Sequence, residues 1–224
     1  MRIVLRIGGS VVASPVNTDL IVKYSELLKT LKLKGHEIAV VVGGGKLARE
    51  FIAVAKKIGL CEKAQDEVAI SVSRLYAQLI AKKLDKVGCA GVPTSLDEAA
   101  ECLHKGKIVV MGGLKPGLTT DAVAALVAER VKADLLVKGT DQEGVYDKDP
   151  RKHVDAIKLD HMFLDDLSKV LEESKHKAGI HQIVDPIAID VLKRYRVKLV
   201  VVNGFETANI LAAVNGERVG TVIN

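Results

Sequence analysis

The sequence predicts an α/β fold with a mainly parallel central sheet. Apolar runs of strand length alternate with stretches of helical periodicity along the chain. Four of those runs end in glycine followed by a hydroxyl or charged residue: Ile3–Ile7 into Gly8-Gly9-Ser10, Ile38–Val42 into Gly43-Gly44-Gly45-Lys46, Ile108–Met111 into Gly112-Gly113, and Leu135–Lys138 into Gly139-Thr140-Asp141. In parallel sheets, loops at the C-terminal strand edge are where ligands bind.

Taken in order, a first strand covers about Arg2–Ile7. Asn17-Thr18-Asp19 offers helix N-caps, and Leu20, Tyr24, Leu27, Leu28 and Leu31 recur at helical spacing until Gly35. The second strand runs into the glycine triplet. The following helix is expected to carry Leu47, Phe51, Val54, Ala55 and Ile58 on one face. A long helix spans about Asp66–Val87 and carries Val68, Val72, Leu75, Leu79 and Leu84, and a short β segment is expected near Ala90–Val92. Ser95 caps a helix to His104, and strand Lys107–Met111 follows. The loop Gly112–Thr119 leads to a helix opening at Asp121, with Val123, Leu126, Val127 and Val131 inside, then strand Asp134–Lys138. Gly144–Pro150 is turn-rich; Ala156–Leu159 reads as a short strand and Phe163–Leu171 as amphipathic. Asp185-Pro186 pairs an N-cap with proline at the first helical position. Strand Val197–Val202, a helix Glu206–Val214 and an edge strand Gly220–Ile223 complete the chain.

The 224 residues suit one sizeable α/β unit, with any division near residues 140–150. Aromatic content of 3% with no Trp argues against a base-stacking nucleic-acid surface. A net charge of +5 is spread along the chain, which fits a basic surface with a phosphate pocket. Cys61, Cys89 and Cys102 have no ligand spacing and are expected as reduced thiols in a cytoplasm. No H-x-x-x-H pair points to zinc. The first strand starts within a few residues of Met1, so no signal peptide is expected, and no apolar run reaches membrane-spanning length.

The chemistry gathers at the loops. Glycines bring backbone close to a ligand, and helix N-termini aim free N–H groups at anions. Lys46 and Arg49, in a first helical turn, suit an anion placed there. The loop lacks a Walker A pattern but satisfies G-x-G-x-x-A through Gly43, Gly45 and Ala48, so a dinucleotide oxidoreductase is one reading. Arg6, Gly8, Gly9 and Ser10 offer a further set of donors, and Thr119 and Thr120 a second anion seat. Two facing phosphate seats suggest transfer between a nucleotide and a second phosphorylated substrate. Asp121 would orient a cation or metal, or simply favour the helix start.

Ile7–Ser10, Val40–Arg49, Met111–Gly113 with Pro116-Gly117 and Thr119–Ala122, and Gly144–Tyr146 with Asp149-Pro150 together resemble the amino acid kinase superfamily, and within it uridylate kinases of the archaeal type. The resemblance covers the whole chain in order. It implies a three-layer αβα sandwich in which an N-terminal lobe of about 1–139 takes the acceptor and residues from about 140 take ATP. It further implies cytoplasmic transfer of the γ-phosphoryl group of ATP to UMP in pyrimidine biosynthesis, with Mg²⁺ carried on the ATP phosphates, no nucleic-acid or membrane partner, and a homohexamer. By position, Gly9, Ser10, Gly45 and Arg49 would hold ATP phosphates; Thr140, Asp141, Tyr146 and Asp149 would form the base and ribose side. Gly44, Asp66 and the run Leu114, Lys115, Pro116, Gly117, Leu118, Thr119 and Thr120 would hold UMP, with Asp66 accepting its ribose hydroxyls. Asp121 resembles the family's organising aspartate.

Two positions depart from the pattern. Arg6 stands where many members carry Lys, which keeps charge but changes donor geometry. Asp141 replaces an amide or lysine, and a carboxylate beside phosphates would turn toward ribose or solvent, leaving Lys138 to supply the positive charge. Kinases of carbamate, acetylglutamate, aspartate or isopentenyl phosphate share the superfamily. Val42 stands where isopentenyl phosphate kinases place a histidine, and the chain is too short for aspartate kinase regulatory domains. A binding protein that has lost transfer is a further alternative.

Overall fold

The computed structural model describes residues 1–13, 16–167 and 184–224. Its sheet has seven strands: β1 (Arg2–Ile7), β2 (Glu37–Val42), β3 (Val109–Met111), β4 (Leu135–Thr140), β7 (His161–Met162), β8 (Lys198–Asn203) and β9 (Thr221–Ile223), in the order β3-β2-β1-β4-β8-β9-β7. All neighbours are parallel except β8 and β9. β5 (Val145–Tyr146) and β6 (Lys158–Leu159) form a separate antiparallel pair.

The period of two along β1 and β2 separates the core into two apolar layers. Ile3, Leu5, Ile7, Ile38, Val40 and Val42 face one way, toward α2 (Thr18–Leu33), α4 (Glu62–Leu84) and the last helix, Thr207–Asn215. Val4, Ala39 and Val41 face α5 (Leu96–His104), α6 (Thr120–Val131) and α7 (Pro186–Tyr195). Both faces of the sheet are covered, as near-continuous apolar strands require, and the result is the expected αβα sandwich.

Capping follows the sequence. Asn17 accepts from Leu20 N, Ser95 from Glu98 N, Thr119 from Ala122 N and Asp185 from Ile187 N and Ala188 N. The five apolar residues expected inside α2 are all buried.

Several expectations change. In α3 (Gly45–Lys57) Ala48 and Ala55 are buried, whereas Phe51, Val54 and Ile58 are 46%, 54% and 69% exposed. Small alanines let α3 pack on α4, and the large apolar residues turn outward. Leu75 and Leu79 of α4 are exposed as well. α4 starts four residues earlier than expected and ends at Leu84, with a 3-10 turn over Asp85–Val87. The segment 90–92 forms no strand; the sheet edge instead gains an isolated bridge between Gly88 and Ile108. β9 is not the edge, because β7 pairs along its outer side. Of the amphipathic stretch Phe163–Leu171, residues 168–171 lie outside the described residues.

Cys89 and Cys102 are joined in a disulfide and Cys61 is free and exposed, which corrects the expectation of three thiols. The bridge joins the segment beside Ile108 to α5, a proximity that comes from the crossover and not from sequence spacing. Among the described residues no helix is long and apolar enough to cross a membrane.

Candidate active site

Two cavities open at the C-terminal edge of the sheet and meet along a seam. The first, of about 440 Å³, is lined by Arg6, Gly9, Ser10, Gly45, Arg49, Asp121, Lys138, Thr140, Asp141, Tyr146 and Asp149, with Gln142, Lys148, Pro150 and Arg151. The second, of about 350 Å³, is lined by Gly44, Asp66, Gly117, Leu118, Thr119 and Thr120, with Ala48, Ala69, Ile70, Ser73 and Gly113. The seam falls between chain neighbours: Gly44 and Thr120 face one cavity, Gly45 and Asp121 the other.

The floor of the seam is backbone. The loop after β1 crosses the loop after β2 so closely that a Cβ on Gly9 would fall 2.1 Å from Gly45 N. Only glycine fits there. Gly45 itself has φ +62°, a left-handed conformation that glycine adopts without penalty. Past the ladder, Gly8 N donates to Gly139 O, Gly43 N to Ile7 O and Gly204 N to Thr140 O, so the loops leave the strands tethered. Tyr24 Oη donates to Gly204 O at 2.7 Å, and burial pushes that phenol well up.

Behind the seam stand two cations and one carboxylate. Arg6 and Lys138 are register partners on β1 and β4, so their charges are cross-strand neighbours. Asp121, in the first turn of α6, relieves their repulsion. Its Oδ1 lies 2.7 Å from Arg6 Nε and its Oδ2 2.6 Å from Lys138 Nζ. The Lys138 contact is a hydrogen bond. The Arg6 Nε–H is misaligned with Oδ1, so that contact is an ion pair, and Arg6 Nη2 donates to Thr120 Oγ1 at 3.2 Å. Burial pushes the Asp121 carboxyl up, but Arg6 and Lys138 outweigh it and hold it below the usual carboxylate range. Burial also lowers the Lys138 ammonium, against the pull of Asp121.

Five cations and three carboxylates line the first cavity, an excess of positive charge that suits a polyanion. Asp141 turns to Arg151, with Oδ2 2.7 Å from Nη2, and accepts from Thr140 Oγ1. Its charge is therefore met by Arg151, a residue that sequence reasoning did not select. Lys148 pairs with Asp155 at 2.5 Å, and Asp149 Oδ1 accepts from Arg151 N. Lys46 lies beside Glu50 at 3.7 Å and lines neither cavity, so of the two basic residues in the first turn of α3 only Arg49 reaches the site.

In the second cavity Asp66 Oδ2 accepts from Gly117 N at 2.8 Å, tying α4 to the 112–118 loop. Leu114, Lys115 and Pro116 stay off the cavity wall: Leu114 packs on the core and Lys115 is exposed. Ser73 and Arg74, also unselected from sequence, bond this loop from α4. Nothing in their residue types separates them from other polar helix positions.

The family model described as "Amino acid kinase family" matches residues 1–203. The chain belongs to this family. It is 45% identical to the uridylate kinase of Methanocaldococcus jannaschii over 91% of each chain. It is 40% identical to that of Methanobrevibacter smithii over 100% of this chain and 99% of the other. The crystal structure of uridylate kinase from Archaeoglobus fulgidus superposes with a TM-score of 0.90 at 36% identity, covering both chains completely.

Proposed function

We propose that this chain is a uridylate kinase that transfers the γ-phosphoryl group of ATP to UMP, giving ADP and UDP. The observation that carries the reading is the seam: two cavities separated by one peptide at Gly44-Gly45 and one at Thr120-Asp121, with Arg6 and Lys138 behind it. Full-length identity of about 40% to named uridylate kinases supports the choice of acceptor.

Phosphoryl transfer asks the protein for alignment and charge more than for covalent work. The N-termini of α3 and α6 converge on the seam and offer N–H donors to phosphate oxygens. ATP occupies the first cavity, with Ser10, Gly9, Gly45 and Arg49 at its phosphates and Thr140, Asp141, Tyr146 and Asp149 at its nucleoside end. UMP occupies the second, with its phosphate between Gly44 and Thr119–Thr120 and its ribose near Asp66. Arg6 and Lys138 stabilise charge on the group in flight, and Asp121 holds both in place.

Both Asp121 oxygens face cations, and among the described residues no group of three His, Cys, Asp or Glu could hold a metal. These residues fit Mg²⁺ that arrives on the ATP phosphates, where it would neutralise part of their charge. The outward apolar residues of α3 and α4, Phe51, Val54, Ile58, Leu75 and Leu79, support a homo-oligomer, which we take to be a hexamer. The cytoplasm, where ATP and UMP are held, is the proposed location.

The test is ADP release from Mg·ATP with UMP, CMP, dUMP, acetylglutamate, carbamate and isopentenyl phosphate. Stimulation by UMP above the others is expected. Stimulation by a different acceptor keeps the kinase and replaces its substrate; ATP binding without stimulation by any acceptor overturns the enzyme reading.

A further inference from the structure

The loop after β3 is held from behind by one arginine of α4. Gly112 and Gly113 leave the strand directly against that helix. A Cβ on Gly112 would lie 2.6 Å from Arg74 N, and one on Gly113 would lie 2.9 Å from Ile70 Cγ1. At this contact Ser73 Oγ accepts from Gly113 N at 2.8 Å while donating to Ile70 O. The Arg74 guanidinium then bridges two successive carbonyls. Nε donates to Gly113 O at 3.0 Å and Nη2 to Leu114 O at 2.9 Å. Further along, Asp66 accepts from Gly117 N.

Arg74 lines neither cavity. It grips the backbone of a loop that, at Gly113 and from Gly117 to Thr120, walls the acceptor cavity together with Asp66, Ile70 and Ser73 of α4. A planar fork of fixed geometry sets the relative orientation of two consecutive peptide groups, which a flexible ammonium cannot do. Without it, Gly113 O and Leu114 O lose these donors, and of α4's side-chain ties to the loop those from Ser73 and Asp66 remain. We propose that Arg74 is a positioning residue that fixes the shape in which the 112–118 loop receives the monophosphate. This rests on the reading of the second cavity as the acceptor seat.

The experiment compares the full chain with Arg74→Ala and Arg74→Lys in steady-state kinetics for both substrates. Amide hydrogen exchange over residues 112–118 is measured without ligand. Arg74→Ala is expected to raise the UMP KM at least about tenfold, or ~1.4 kcal/mol. Its ATP KM should stay within about twofold and its loop amides exchange faster. Arg74→Lys, able to reach one carbonyl, should fall between wild type and Arg74→Ala in both readouts. It also serves as the test should Arg74→Ala fail to fold. An unmoved UMP KM or unmoved exchange in a UMP-active background overturns the role of Arg74 alone. A wild-type chain that UMP does not stimulate overturns the acceptor reading first, and this inference with it.

Discussion

Replacing Asp121 by Asn tests the charge arrangement at the seam while keeping its shape. The substitution removes the counter-charge from Arg6 at 2.7 Å and Lys138 at 2.6 Å, leaving two cross-strand cations facing each other. Breaking one partner of a fully buried pair costs about 3–5 kcal/mol. Here the cost is smaller, because Asn retains an acceptor for Lys138 and Arg6 Nη2 keeps Thr120 Oγ1 as its acceptor. We expect a loss of about 1–2 kcal/mol, or roughly 2–8 °C in Tm for a chain of this length. With Arg6 no longer held, kcat should fall at least about tenfold, ~1.4 kcal/mol of barrier. The ATP KM should hold or fall, since the first cavity gains positive charge. The assay is coupled ADP release beside thermal unfolding from acid to neutral pH. The Asp121 carboxyl is held below its unfolded value, so its stabilisation is complete above the ordinary carboxylate range and is lost as pH falls through and below that range. Asp121→Asn should lack that part of the acid-induced loss. A variant with kcat within about twofold of wild type would refute the organising role.

Gly9→Ala places a Cβ against the Gly45 backbone, and should cost about 3 kcal/mol or more, read by denaturant unfolding together with loss of turnover. Asp66→Ala, which frees Gly117 N, should weaken UMP binding more than ATP binding in calorimetric titrations. Reducing the Cys89–Cys102 bridge, which spans a sequence separation of 13, should remove about 3 kcal/mol of stability, seen as a Tm that reductant lowers in the wild-type chain and leaves unmoved in the already less stable Cys102→Ser chain. The wild-type chain should sediment as the proposed oligomer, and Val54→Glu on the outward face of α3 should lower its mass while leaving the chain folded.

The strands and their glycine loops were legible because a buried parallel strand must be apolar on both faces and its ligand loop must turn tightly. Helix caps were legible for the same local reason: Asn17, Ser95, Thr119 and Asp185 each act within three residues. What escaped is non-local. The stripe Phe51, Val54, Ile58 has helical spacing whether it meets this chain's core or another surface, and periodicity cannot tell which. Cys89 and Cys102 meet only because Gly88 bridges to Ile108 beside α5. Arg151 and Arg74 look like ordinary surface arginines until the loops fold back, one onto Asp141 and the other onto Gly113 and Leu114. The glycines pointed to an anion site, and the tertiary contacts show which cations gather around those loops.

The contact between Gly9 and Gly45 has a mechanical consequence. With no side chain between them, the two loops cannot slide or part independently, and each is anchored to a strand. The ground under both cavities therefore behaves as one stiff plate. On one side the wall is tied down as well, since α4 holds residues 113–117 through Ser73, Arg74 and Asp66. The spacing between the two cavities is therefore set by backbone packing at Gly9 and Gly45 and not by side chains.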